Sequence, residues 1–211
     1  MKKGLRALLI TAVCLIVAGG TAYVGLRAIL SGEREKVHKV SGYNYEVEPL
    51  GFYVGKHKIE GSVYRPLRDS IKVHPTVIFC PDISDKQLRS LANRGVACYR
   101  FVWPEALDGV VIDNITPAAA KERVKVLQKI VRKMAELSYV GDIYVYGSGT
   151  NAALAAEVAL ATPKVNGVIF AAPSFDQKSR IPKRLERYRG RIITFPEPTT
   201  SSIPDSLTTK K

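Results

Sequence analysis

Residue types that build metal sites are scarce in this chain. Its 211 residues include only 3 cysteines and 3 histidines, and no group of them has the spacing of metal ligands. We therefore expect neither a metal site nor a bound cofactor. Cys80 and Cys98 each lie in an apolar, strand-like segment and are predicted to be buried, reduced thiols. A disulfide remains the alternative if the domain lies in an oxidising compartment.

Negative charge is absent from the N-terminal part of the sequence, where the first acidic residue is Glu33. Residues 7–26 form an uncharged, mostly apolar run, and twenty helical residues span roughly 30 Å, the thickness of a bilayer's hydrocarbon core. This run predicts a transmembrane helix, with a membrane anchor at residues 1–30 and a linker at 31–42. A cleaved signal peptide, ending at Gly20-Thr21-Ala22 after an apolar core at residues 7–18, is the alternative.

The basic residues beside this run bear on its orientation. Lys2, Lys3 and Arg6 favour a cytoplasmic N-terminus, which would place the domain outside the cytoplasm. Basic residues on the other side of the run oppose this assignment: Arg27, Arg34, Lys36 and Lys39.

The formal net charge is +13, and basic residues concentrate at 121–133 and 178–191. These segments are interpreted either as surfaces that attract anionic lipid headgroups or protein partners, or as solvated helix faces. Aromatic residues do not interleave with the charges and no nucleic-acid motif accompanies them, so nucleic-acid binding is not expected.

Hydrophobic patterning after residue 42 predicts an α/β domain. Alternating residues at 43–54 and 58–64, on either side of Gly55-Lys56, indicate an antiparallel hairpin. Apolar runs indicate buried strands at 75–80, 96–101, 142–146, 166–172 and 191–195. Helices are predicted at 86–94 with Asp85 as its cap, from Pro117 onward after a Thr116 cap, at 151–161 and at 183–189. The predicted fold is a mostly parallel sheet with an N-terminal antiparallel hairpin and helices on both faces, preceded by one transmembrane helix.

The predicted domain covers residues 43–195. Residues 196–211 are rich in Thr, Ser and Pro and are predicted to be disordered.

The turn Gly147-Ser148-Gly149-Thr150-Asn151 lies between a predicted strand and a predicted helix. In order with residues 59–66, 75–82 and 91–101, this segment resembles the α/β-hydrolase core of small esterases and dienelactone-hydrolase-like proteins. The resemblance covers residues 43–195 and implies the strand order 96–101, 75–80, 142–146, 166–172, 191–195. It also implies a nucleophile elbow, Gly-x-nucleophile-x-Gly, at this turn and ligand binding at the carboxyl ends of the strands.

The chain departs from that family at the catalytic positions. Gly149 occupies the nucleophile's place and Asn151 that of the last glycine, while Ser148 lies one residue early. Pro81 and Asp82 stand where the family has His-Gly. Proline has no N–H to donate, and a carboxylate opposes stabilisation of an oxyanion.

The catalytic base is also missing from its expected place. The resemblance implies the chain order nucleophile, acid, histidine, but His38, His57 and His74 all precede the elbow. Glu197 is the residue nearest the expected position of the acid.

Three hypotheses follow. The first is a membrane-anchored, catalytically inactive α/β-hydrolase-like domain that acts as a binding or scaffold module. The second is a divergent membrane-bound serine esterase that uses Ser148, with His74 or a partner chain as base; the third is a truncated relic. A vestigial cleft is predicted at the strand ends, lined by Asp82, Ile83, Trp103, Ser148, Gly149, Thr150 and Ser174.

Overall fold

The computed structural model describes residues 44–67, 73–80, 83–104, 107, 117–177, 179–197 and 200–208. The predicted anchor at 1–30, the linker at 31–42, and the residues Pro81, Asp82 and Thr116 lie outside this part of the chain. Within it, no helix is long and apolar enough to cross a bilayer.

Eight strands of the described residues form a mixed sheet at the centre of the domain. They are β1 Tyr45–Pro49, β2 Phe52–Val54, β3 His57–Pro66, β4 His74–Phe79, β5 Ala97–Val102, β6 Val140–Ser148, β7 Val165–Ala171 and β8 Arg191–Phe195. Their order is β1-β3-β5-β4-β6-β7-β8, with β2 also paired to β3. Neighbouring strands from β5 to β8 run parallel, which confirms the strand order implied by the resemblance and places β6 inside the sheet.

The predicted hairpin is also confirmed. β2 pairs antiparallel with β3 across a turn in which Val54 faces His57, and Gly55 in this turn has a left-handed φ of +57°. β1 pairs with a later part of β3, so the first arm of the predicted hairpin is divided into two strands.

In the described part of the chain, five helices accompany the sheet: α1 Asp85–Asn93, α2 Pro117–Met134, α3 Asn151–Ala161, α4 Ile181–Leu185 and α5 Ile203–Thr208. The prediction that Asp85 caps α1 is wrong. Ser84 is the cap, and its backbone N–H donates to Gln87 Oε1 at 3.3 Å. Asp85 instead lies in the first turn, where its carboxylate accepts hydrogen bonds from Tyr64 and Arg100. α4 begins two residues before the predicted helix at 183–189.

The helices cover both faces of the sheet. The first core contains side chains of α2, α3 and α4, including Leu127, Ala155 and Leu185. The second core contains side chains of α1 and α5, including Leu88 and Ile203. Cys80 belongs to the first core and Cys98 to the second. Both thiols are buried and free, so the sheet separates them, as the prediction of reduced cysteines requires.

The prediction that residues 196–211 are disordered is wrong for α5. Ile203 is fully buried in the second core, and Arg94 contacts both the Ser201 carbonyl and the Asp205 carboxylate, the latter at 2.7 Å. The polar composition of the tail concealed these anchors, because a single buried isoleucine produces no periodic pattern.

Candidate functional site

The carboxyl ends of the parallel strands meet at one edge of the sheet, which is where α/β sheets bind ligands. Cys80 follows β4, Trp103 follows β5, Ser148 ends β6 and Ser174 lies shortly after β7. Because β3 is antiparallel to β5, with Glu60 facing Val102, the amino end of β3 lies at this same edge.

The turn after β6 has a glycine at the position where the resemblance implies a nucleophile. Gly149 lies between β6 and α3 with a φ of +53°, in the left-handed region that glycine adopts without strain. Its N–H donates to the Ala171 carbonyl at 3.2 Å, and its carbonyl accepts from the Ser174 N–H at 3.1 Å. A Cβ at Gly149 would meet no atom within 4 Å. The turn therefore has room for a nucleophile at the position where the chain has none.

The preceding glycine is required for a different reason. A Cβ at Gly147 would lie 2.5 Å from the Asn151 carbonyl oxygen and 2.8 Å from the Ala155 Cβ. Glycine here allows the first turns of α3 to pack directly on β6. The close approach of α3 to β6 thus explains why this position is glycine.

Ser148 is directed away from α3. Side chains alternate along a strand, and Tyr146 of β6 belongs to the second core, on the face that α1 and α5 cover. Burial raises the pKa of Tyr146, and a hydrogen bond from Ser148 opposes that shift. Ser148 therefore lies on the same face of β6 as Tyr146, opposite α3.

His74 is too far away to serve as the base for Ser148, so that part of the esterase hypothesis is wrong. His74 pairs with Val140 at the amino end of β6, and its Nδ1 lies 3.2 Å from the Gly95 carbonyl oxygen. Ser148 is at the other end of β6, about 26 Å away at roughly 3.3 Å per residue. The reason is topological, because His74 begins its strand whereas Ser148 ends one.

His57 lies at the carboxyl edge but is also distant from the elbow. β5 and β4 separate its strand from β6, which corresponds to about 14 Å at roughly 4.8 Å per strand. Its Nε2 lies 3.9 Å from Glu122 Oε1 on α2. This histidine is placed beside α2 and not beside Ser148 or Gly149.

Trp103 packs against a buried arginine that the sequence analysis missed. The Trp103 indole donates to the Cys80 carbonyl at 3.2 Å, and the Arg123 guanidinium lies 4.2 Å above its ring. Arg123 is 5% exposed. Arg123 lies four residues before Leu127, in line with the apolar stripe of α2. This position in the sequence could have indicated that Arg123 is buried.

The Cys80 thiol is not a second nucleophile. Burial raises its pKa to about 12, and the nearby positive charge of Arg123 opposes this only in part. The thiol therefore stays protonated at neutral pH, and a protonated thiol is a poor nucleophile.

The predicted cleft residues occupy different surroundings. Ile83 is buried in the second core whereas Trp103 packs against the first, so the sheet lies between them. Gly149 and Ser174 are joined by a backbone hydrogen bond, with Ser174 exposed and Thr150 half-buried. Asp82 lies outside the described residues, and Glu197 is exposed just after β8. The cleft as a single binding surface stays a prediction.

Solved structures with this fold were found, although no protein-family model and no curated protein matches the sequence. A dienelactone-hydrolase-like promiscuous phosphotriesterase from metagenomic libraries is 13% identical, with 72% of this chain and 68% of that chain covered and a TM-score of 0.56. The dienelactone hydrolase of Anabaena variabilis is 12% identical over 72% of this chain and 73% of its own, at 0.55. Est1E from Butyrivibrio proteoclasticus is 12% identical over 69% and 76%, at 0.53. The chain therefore has the α/β-hydrolase fold, in the form found in dienelactone-hydrolase-like proteins.

Proposed function

We propose that this protein is a catalytically inactive α/β-hydrolase-like binding module that its N-terminal segment holds on a membrane. The observation that carries the proposal is Gly149, a glycine with a φ of +53° in the elbow position. Ester hydrolysis by this fold needs a side-chain nucleophile there, together with a base within hydrogen-bonding reach.

Among the described residues, the nucleophile and base candidates do not replace the missing groups. Ser148 lies on the face of β6 that is opposite α3, and Cys80 is buried, with a pKa raised to about 12. His57 lies on β3, three strand positions from β6. His74 begins β4, so it lies at the amino ends of the parallel strands, whereas the elbow lies at their carboxyl ends. We infer that the function of this edge is binding, with the described sheet and helices as its scaffold.

The names of the structural neighbours make carboxylic ester hydrolysis the activity to test. The full-length protein, in detergent, should show no ester hydrolysis above buffer and no adduct with a fluorophosphonate probe. Ser148→Ala and Ser174→Ala serve as a matched pair of variants. Activity in the unmodified protein that Ser148→Ala removes and Ser174→Ala retains would refute inactivity and favour the divergent esterase.

Membrane attachment is tested separately. The uncharged run at residues 7–26 supports it, and extraction with alkaline carbonate should leave the protein in the membrane pellet at its full-length mass. Release of a shorter protein beginning near Tyr23 would show that the segment is a cleaved signal peptide. Digestion of the domain by external protease in right-side-out membrane vesicles tests its predicted extracytoplasmic location.

A further inference from the structure

The positive charge of the domain is distributed unevenly between the two faces of the sheet. The two basic segments of the sequence are far apart in the chain, yet both lie on the face covered by α2, α3 and α4. We call the outer surface of these three helices, together with residues 180–189, the basic face.

One side of the basic face is a row of cations on α2. Lys121, Lys125 and Arg132 are exposed and Lys129 is half-exposed. Their steps of four and three residues keep them on one side of the helix, and at roughly 1.5 Å per residue the row is about 17 Å long. It runs along the surface opposite the buried stripe formed by Leu127, Ile130 and Met134.

The other side of the basic face lies at α4 and the residues around it. Five cationic side chains are exposed here: Arg180, Lys183, Arg184, Arg187 and Arg189. The acidic residue Glu186 is exposed in the same segment. α3 lies between the two rows, since it contacts both α2 and α4, and its single charged residue is Glu157.

Acidic residues on the basic face neutralise only a few of these charges. Glu122 pairs with Lys125, Glu136 with Lys133, and Glu157 with Arg184. Within the described part of the chain, no ion pair involves Lys121, Lys129, Arg132, Lys183, Arg187 or Arg189. The face therefore keeps a strong positive charge.

The opposite face has fewer basic residues but is also positively charged, because Arg89 and Arg100 share the single carboxylate of Asp85. On α1, Arg89 pairs with Asp85 at 3.8 Å, and Arg94 pairs with Asp205 of α5 at 2.7 Å. Lys86 is the remaining basic residue of α1. The excess of basic over acidic side chains is thus larger on the basic face than on the opposite face.

We propose that the basic face docks on anionic lipid headgroups of the membrane to which the chain is attached. The inference rests on the proposed membrane attachment, because a linker of residues 31–42 reaches at most about 40 Å and so keeps the domain within range of the bilayer. Basic side chains near an anionic membrane contribute additively to attraction, each by roughly fivefold in the binding constant. Two groups of exposed cations on one helical layer match the charge of an anionic lipid surface.

The test uses the full-length protein reconstituted into vesicles. One vesicle is phosphatidylcholine alone, and the other contains one third phosphatidylglycerol. A fluorophore is attached to Ala135→Cys, an exposed position just after α2, in a Cys14→Ser background. Cys80 and Cys98 are buried and should not be labelled. Quenching by a lipid with a nitroxide headgroup then reports how often α2 lies on the membrane.

Two variants that each remove two positive charges provide the comparison. Lys121→Gln with Lys129→Gln changes the basic face, whereas Lys86→Gln with Arg89→Gln changes α1 on the opposite face. We expect phosphatidylglycerol to increase quenching, high salt to reverse the increase, and the α2 variant to lower the docked-to-undocked ratio by about 30-fold. The α1 variant should resemble the unmodified protein.

Two results would overturn the proposal. An equal decrease of quenching in the α2 and α1 variants would show that docking depends on the net charge of the domain and not on the basic face. Equal quenching in both vesicles would assign the face to a soluble acidic partner or to solvent. Loss of the protein from the carbonate-washed pellet would instead refute membrane attachment, so failure of that premise is distinguishable from failure of the docking surface.

Discussion

Replacing Gly149 with serine returns a hydroxyl to the elbow, and the structure predicts both its cost and its lack of effect on catalysis. The φ of +53° at Gly149 lies in the left-handed region, where an L side chain costs about 1–2 kcal/mol. No atom lies within 4 Å of the added Cβ, so no steric cost is added. Replacing glycine also reduces the conformational entropy of the unfolded chain, which stabilises the folded state by about 0.4–1 kcal/mol. The net destabilisation is therefore about 1 kcal/mol.

Urea denaturation of the Gly149→Ser variant measures this value, and Gly55→Ser is the matched control. Gly55 has a φ of +57°, and a Cβ added to it would also meet no atom within 4 Å, but it lies in the hairpin turn between β2 and β3. The two variants should lose similar stability, with a fall in Tm of roughly 2–4 °C for a domain of this size.

The same variant tests the catalytic argument. Gly149→Ser should hydrolyse esters no faster than the unmodified protein, because neither His57 nor His74, the described histidines, reaches its hydroxyl, and a neutral hydroxyl is a poor nucleophile. Turnover that appears in Gly149→Ser but not in Gly55→Ser would refute the reasoning. A second contradicting result is that Gly149→Ser lowers the free energy of unfolding by more than about 3 kcal/mol while Gly55→Ser does not. That result would contradict the calculation, because it exceeds the cost of placing a side chain at a left-handed φ.

Further predictions concern packing and pH. Gly147→Ala should cost about 1–3 kcal/mol because its Cβ would overlap α3, so a cost equal to that of Gly149→Ala in urea denaturation would contradict the close approach. Ile203→Ala should cost about 2–5 kcal/mol because Ile203 is fully buried, whereas a disordered tail predicts no change; the 44% exposed Ile192 supplies the control variant Ile192→Ala. Burial, followed by the hydrogen bond to Asp85, raises the pKa of Tyr64 from 10.0 to about 12. The unfolded chain then ionises first, so the free energy of unfolding should fall as pH rises from about 10 to about 12. Tyr64→Phe should make that fall shallower, and an unchanged slope relative to Tyr53→Phe would contradict this.

Much of the fold was predictable because its local signals are strong. β8 and α3 have the predicted bounds, since a β-branched run and a run of helix-forming small residues each leave little ambiguity. The N-cap of α1 was missed by one residue, because Ser84 and Asp85 are both good caps and only the tertiary contacts of Asp85 with Tyr64 and Arg100 distinguish them.

The candidate site was less predictable, because it depends on which edge and which face each residue occupies. His74 and Ser148 could be paired in the sequence, but strand direction separates them by the length of β6. Ile83 and Trp103 both follow strands, yet they pack on opposite faces. A linear pattern specifies where a strand ends and says little about the direction its successor takes.

The sequence by itself determined the order of strands and helices, the glycine at the elbow and the absence of a histidine after it. These are local or compositional properties, and tertiary packing does not alter them. Only the tertiary structure decided that α5 covers the second core and that residues 121–133 and 180–189 lie on one face. Crossover connections between parallel strands place α2, α3 and α4 on the same side of the sheet, and this long-range geometry concentrates the charge.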